Sequence, residues 1–259
     1  ISINGVGVGY SFDSGALRSV SGNNVITGDV HLIGAVNAIA AENTSRLTIS
    51  GGVVGFGNTL TKTGLGTLEL AGTRANVLRG ATTVLRGNLM LNKIGSTAIQ
   101  ADLIIGDNSL PNDDAAVVTL AANNQIPSLN FVNTALTAVT VNASGKLDLN
   151  GFNNDLGDIT LVRGQSASGD IATGTGILGI VNNLTVTGFQ GSSDATPAAT
   201  ISGRVDWKPL FSGTGSSTAS HVINIADSAL PGVATDLVIS ASMTGTSATS
   251  LSRIGAGAW

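Results

Sequence analysis

The carboxylates are the side chains here with the most chemistry to offer. Asp148, Asp155 and Asp158 lie close together in "LDLNGFNNDLGDITL", and Arg163 is the nearest base in sequence. Paired carboxylates, or carboxylates beside Lys or Arg, cleave polysaccharides on one face of a β-rich scaffold. Strand alternation exposes Asp148, whereas Asp155 and Asp158 fall in a turn, so only the fold can gather them into one groove. Asp107, Asp113 and Asp114 surround Pro111 in "GDNSLPNDDAA". Clustered oxygens bind Ca²⁺. This segment lacks the D-x-[DN]-x-[DN]-G order, and no calcium-binding nonapeptide occurs, so it reads as a solvated loop.

The other candidates are thinner. His31 and His221 are the only histidines and stand 190 residues apart. No Ser sits in a G-x-S-x-G elbow and no His-x-x-x-His pair exists, so both histidines read as surface or corner residues. "GTGILG" (174–179) fits G-x-G-x-x-G, but "IVNNLTVTGF" follows it. That is strand grammar where a dinucleotide site needs a helix, so the phrase reads as a corner. Trp207, with Lys208, Pro209 and Phe211 in "GRVDWKPLF", is the densest aromatic spot. It reads as a loop residue packed over the core; the functional alternative is an anchor for a sugar or a partner subunit. These residues compose no catalytic, cofactor-binding or metal-ligating set. The expectation is a protein that is not an enzyme and carries no cofactor.

Composition says what must position such residues. Of 259 residues only 11% are charged and 3% aromatic, while 42% are hydrophobic and 35 are Gly. The chain can bury a core, and that core is made of Val, Ile, Leu and Ala. A net charge of −4, with 12 scattered Lys and Arg, offers no basic patch for nucleic acid. Cysteine is absent, which removes disulfides and thiolate chemistry together. No apolar run reaches the length of a membrane-spanning helix. The sequence opens "ISINGVGVGY", with no Met and no leader, and the expectation is a segment of a longer polypeptide.

Short β-branched runs recur along the whole chain, among them "RLTIS", "GTLEL", "NLMLN", "AVVTL", "KLDLN", "DITLV", "HVINI" and "DLVIS". Several alternate strictly. Leu68 and Leu70 share a face around Glu69, and Leu147 and Leu149 do so around Asp148. Gly and Asn punctuate them where corners need positive φ. Only "GAVNAIAAENTS" (34–45) has an Ala-rich helical look, and "AIAAENTSRLTIS" reads equally as strand, turn, strand. Short strands with few charges, small polar residues on the exposed positions and a narrow aliphatic interior predict a right-handed parallel β-helix with irregular loops. At roughly 20 residues per coil the rod would be on the order of 60 Å long. The alternative is a pair of β-sandwiches.

One phrase is more specific. "LTKTGLGTLELAG" (60–72) places Leu60, Thr61, Lys62, Gly64, Gly66, Leu68, Leu70 and Gly72 in a fixed order. "GATTVLRGNLMLNK" (80–93) adds Gly80, Thr82, Val84, Gly87, Leu89 and Leu91, with Val84 and Leu85 leading to a Gly87–Asn88 corner. This pattern resembles the autotransporter-associated β-strand repeat, also called the passenger-associated transport repeat. The match is best over 47–93 and looser to about residue 163. The terminal "LSRIGAGAW" (251–259) looks like the start of a second copy, aligning Leu251, Arg253, Gly255, Gly257 and Trp259 with Leu60, Lys62, Gly64, Gly66 and Leu68. The resemblance implies a β-helical passenger, secreted or displayed on a Gram-negative-type surface. Residues 1–259 are then one continuous β-solenoid segment. The functional expectation is a structural or adhesive surface protein that stacks end to end with itself, with surface polysaccharide as a candidate partner. The alternative is a β-helical polysaccharide-active enzyme or carbohydrate-binding module.

Overall fold

Alternation at period two decides which side chains face inward, and the strands follow it closely. The computed structural model describes residues 1–7, 14–108, 115–130, 135–164, 166–188, 197–209, 220–226, 235–245 and 250–256. Among them are 24 strands and no helix. In chain order the first are β1 (Ser2–Gly5), β2 (Leu17–Ser19), β3 (Asn23–Ile26), β4 (Val30–Ala41), β5 (Arg46–Ile49), β6 (Val53–Gly55), β7 (Thr59–Thr63) and β8 (Thr67–Gly72). Next come β9 (Val77–Leu78), β10 (Thr82–Val84), β11 (Gly87–Lys93), β12 (Leu103–Ile105), β13 (Ala116–Leu120), β14 (Ala138–Val141), β15 (Gly145–Asp148) and β16 (Asn154–Leu156). The last are β17 (Asp158–Arg163), β18 (Asp170–Ala172), β19 (Leu178–Ile180), β20 (Leu184–Gly188), β21 (Ala199–Trp207), β22 (Ser220–Ile225), β23 (Leu237–Gly245) and β24 (Ser250–Ile254).

These strands form one 13-stranded and one 11-stranded sheet. The chain alternates between them, so that β7, β10, β12 and β14 stack in the first while β8, β11, β13 and β15 stack in the second. The pairings are parallel and in register. Two parallel sheets wound this way give a solenoid-like stack. A narrow third side joins them. The first part of β4 pairs with β6 and its later part with β7; β21 likewise serves β18 and then β19.

Register turns the sequence alternation into columns. Leu47, Leu68, Leu89, Val118, Leu147, Ile171 and Ile201 stand one above another on the inner face of the second sheet. All are essentially inaccessible to water. Leu60, Leu103, Val139, Ile159, Leu184 and Ile223 form the matching column across the first, with buried Thr82 between Leu60 and Leu103. Each such side chain contributes about 1.5–3 kcal/mol on burial, and adjacent coils share the benefit because each covers its neighbour.

The structure decides between the two readings of one stretch and amends three expectations. Residues 34–41 belong to strand β4 and the chain turns at 43–44, so the Ala-rich stretch is strand, turn, strand. Pairing with β7, which sets Ile39 beside Lys62, holds this stretch in place of helical contacts. The coils are longer than 20 residues, running from 21 between Leu47 and Leu68 to 39 between Leu184 and Ile223. Nine positions in the column that begins at Asn24, spaced by about 4.8 Å, give a rod of roughly 40 Å. Leu85 is half-buried and only Val84 turns into the core, because the corner falls at Leu85–Arg86 and β11 already begins at Gly87. Lastly, strand pairing sets Arg253 opposite Ile223, in Leu60's column, two places from the alignment with Lys62. Gly257 and Trp259 lie outside the described residues.

Candidate functional site

The three central carboxylates are not gathered. Asp148 is on the outward side of β15 and accepts from the Asn150 backbone N–H at 2.8 Å. Asp155 is on β16, on the third side, and pairs with Lys208 at 2.7 Å. Asp158 opens β17 in the first sheet and accepts from Asn182 Nδ2 at 2.7 Å. They therefore occupy three different sides of the stack. Arg163 is buried at the end of β17 and forms an ion pair with Asp236.

Asp107 lies at a corner, where its backbone N–H donates to Ser144 Oγ at 2.9 Å. Pro111, Asp113 and Asp114 lie outside the described residues. Among the described residues no group of three or more His, Asp or Glu is placed to hold a metal ion. In "GTGILG" residues 174–177 form the corner between β18 and β19, with Gly174 at φ 60°, and Leu178 and Gly179 already belong to β19.

Trp207 and His221 depart from their sequence readings. Trp207 is the last residue of β21 and part of the hydrophobic core, not a loop cover. His31 is exposed on β4, but His221 is fully buried. Its ring lies 5.3 Å from that of Trp207 at 55°. Phe211 lies outside the described residues.

What sequence reasoning missed is a set of buried cations at the corners. Lys62 is fully buried. Its ammonium donates to the carbonyls of Thr63, Gly64 and Arg86. Lys93 is buried as well and donates to the carbonyls of Gly51 and Ala71 at 2.7 and 2.5 Å. Burial drives the Lys93 ammonium down to about 8, with Asp29 opposing the shift. Both lysines keep the phase of the inward leucines, Lys62 two residues after Leu60 and Lys93 two after Leu91. Alternation was thus a signal for their orientation. The carbonyls that a corner turns inward supply the reason to tolerate it.

The corner glycines of "TGLG" follow from the same stacking. Gly64 has φ 75°, and a Cβ on Gly66 would run into the carbonyl oxygens of Glu42 and Ser45 in the coil below. Elsewhere side-chain amides bond the backbone of adjacent coils. Asn76 accepts from the Val53 N–H and donates to the Ala98 carbonyl; Asn154 exchanges two hydrogen bonds with Ile126.

The outward face of the second sheet is polar and internally bonded. Glu69 receives Thr48 Oγ1 at 2.8 Å, Asn92 Nδ2 at 2.9 Å and the Arg46 guanidinium at 2.8 Å. Burial works against its charge, but bonds from Asn92, Thr48 and Arg46 outweigh that and hold the carboxyl below its ordinary range. The outward face of the first sheet instead carries a column of small uncharged residues, Thr61, Thr83, Thr140, Thr160 and Thr185, interrupted by Ile104.

At the ends of the stack apolar side chains come to the surface. β24 is exposed along its whole length, and Leu251, Ile254, Val238 and Met243 are open to water. Ile1, Val20 and Val25 are exposed at the opposite end. No helix among the described residues is long and apolar enough to cross a membrane. Comparison with protein-family models, with curated proteins and with solved structures finds no match.

Proposed function

We propose that this chain is a structural or adhesive segment of an extracellular fibre or autotransporter-type passenger. In this reading it is a right-handed parallel β-helix without catalysis that associates end to end. The observation that carries the reading is the pair of open ends. Among the described residues, β23 and β24 each pair along one edge, leaving backbone donors and acceptors on the other, beside exposed Val238, Leu251 and Ile254. The other end offers β3, with Val25 exposed. Parallel edges of this kind are complementary head to tail, a contact that does not close on itself and so builds filaments. The resemblance of 47–93 to the passenger-associated repeat supports display at a Gram-negative-type cell surface.

Sedimentation of the purified chain over a wide concentration range tests the assembly. End-to-end species that grow with concentration, and that disappear in a Leu251→Lys, Ile254→Lys variant, are the expected result. A monodisperse monomer at every concentration would count against it.

A further inference from the structure

His221 points into the core from the start of β22, level with Asn182 of the coil below. Its Nδ1 lies 2.5 Å from the Asn182 carbonyl. A carbonyl only accepts, so Nδ1 carries the proton and donates. Nε2 is then the lone-pair nitrogen of a neutral ring. It is buried and has no hydrogen-bond partner. Trp207 packs against the ring on the third side.

Among the described residues, the surroundings hold little to receive a second proton's charge. β20, which lies beside β22, has the sequence LTVTG and no ionisable group. β24, on the other edge, brings Arg253 opposite Ile223, a like charge for an imidazolium. On β21, Asp206 accepts from Thr244 Oγ1, and Arg204 donates to the Thr175 carbonyl. Asp155 is paired with Lys208, and Asp158 is occupied by Asn182 Nδ2. Lys208 is the single ionisable residue in the sequence between Trp207 and His221.

We propose that His221 is a proton-sensitive latch on the last coils of the rod. Neutral, it ties β22 to the coil below through Asn182 and packs on Trp207. Protonated, it places a charge and a second N–H donor in a site where these neighbouring carboxylates are already engaged. Burying an unpaired charge is costly, and the cost is relieved when β22, with β24 paired to it, separates from the stack. The device loosens one end of the molecule as the medium acidifies.

The test uses the full chain with Trp259→Phe, which leaves Trp207 as the sole tryptophan. Trp207 emission and the thermal midpoint are followed from pH 8 to pH 5, with and without His221→Gln. Both forms feel the protonation of surface carboxylates, so the difference between them isolates His221. The expected result is that acid lowers the midpoint by at least about 3 °C more in the histidine form than in the His221→Gln variant, together with a change in Trp207 emission that only the histidine form shows. His31→Gln should leave both effects intact. Identical pH profiles with and without His221 would overturn the proposal. Should His221→Gln not fold, imidazole NMR on the histidine form decides. Protonation of the His221 ring with the β22 and β24 amide signals unchanged overturns the latch; loss of those signals together with protonation supports it.

Discussion

The ammonium of Lys62 donates to the carbonyl of Arg86 at 2.9 Å, joining two successive coils from the inside. The same group also bonds the Thr63 and Gly64 carbonyls. The lysine thus supplies donors to a corner whose carbonyls turn inward. Its stem passes between Ile39 and Val84, its neighbours in the inward column.

Lys62→Met keeps the stem and removes the donor. Three carbonyls lose a charged partner in a buried site, and each orphaned group is expensive. The variant should be less stable by about 2–4 kcal/mol, read from urea denaturation followed by the strand signal in circular dichroism. An unchanged midpoint would mean that the corner carbonyls find other donors.

Arg163 and Asp236 form a buried ion pair across 73 residues of sequence. Removing one partner strands a buried charge, which costs about 3–5 kcal/mol. Asp236→Ala should therefore be strongly destabilising, whereas Arg163→Met with Asp236→Leu should recover much of the loss. A double-mutant cycle measured by denaturant unfolding checks this, and additive losses would contradict it.

Thr82 stands in the inward column between Leu60 and Leu103, fully buried, and its hydroxyl has no hydrogen-bond partner. Thr82→Val replaces the hydroxyl by a methyl of similar shape. The variant should match or exceed the native stability, by up to about 1 kcal/mol. Leu68→Ala, at a fully buried position in the second sheet, should cost about 2–5 kcal/mol. Thermal unfolding of the two side by side separates a tolerated polar atom from a required apolar one.

Stability should depend on pH at both extremes, through different residues. Lys93 titrates at about 8 in the folded chain against 10.5 ordinarily, because burial disfavours its charge. Between those values the unfolded chain holds a proton that the folded chain has released. Stability therefore rises with pH across that window and is flat on either side. Glu69 has the opposite role: burial pulls its folded value up, but bonds from Asn92, Thr48 and Arg46 outweigh that and lower it. Its contribution is complete above 4.5, its ordinary value, and is lost as pH falls through the lowered one. Denaturant midpoints for Lys93→Met and Glu69→Gln, compared with the native chain, should flatten the alkaline rise and the acid fall respectively.

Much of the fold was legible because alternation and corner chemistry are local. Leu68, Leu70, Leu89 and Leu91 face inward as their spacing requires, and the corner at Gly64 takes the positive φ that glycine permits. The Ala-rich stretch at 34–45 was ambiguous because alanine suits a helix by propensity. Pairing with β7 settles it, and no local signal reports that pairing. The candidate site was less legible. Whether Asp148, Asp155 and Asp158 share a groove depends on which side each strand occupies, and one residue of turn is enough to move a carboxylate to another face.

By itself the sequence determined an all-β chain with a thin aliphatic core, since period-two apolar runs separated by Gly and Asn permit little else. Tertiary structure alone decided the length of each coil, the third side, the burial of Lys62, Lys93 and His221, and the meeting of Arg163 with Asp236. The physical reason is common to all of these. A strand's alternation fixes which way a side chain points, but its partners lie in other coils, typically about 20 to 40 residues away in the pairings seen here. The energy of a buried charge or an orphaned nitrogen is set by those partners rather than by its neighbours in the chain.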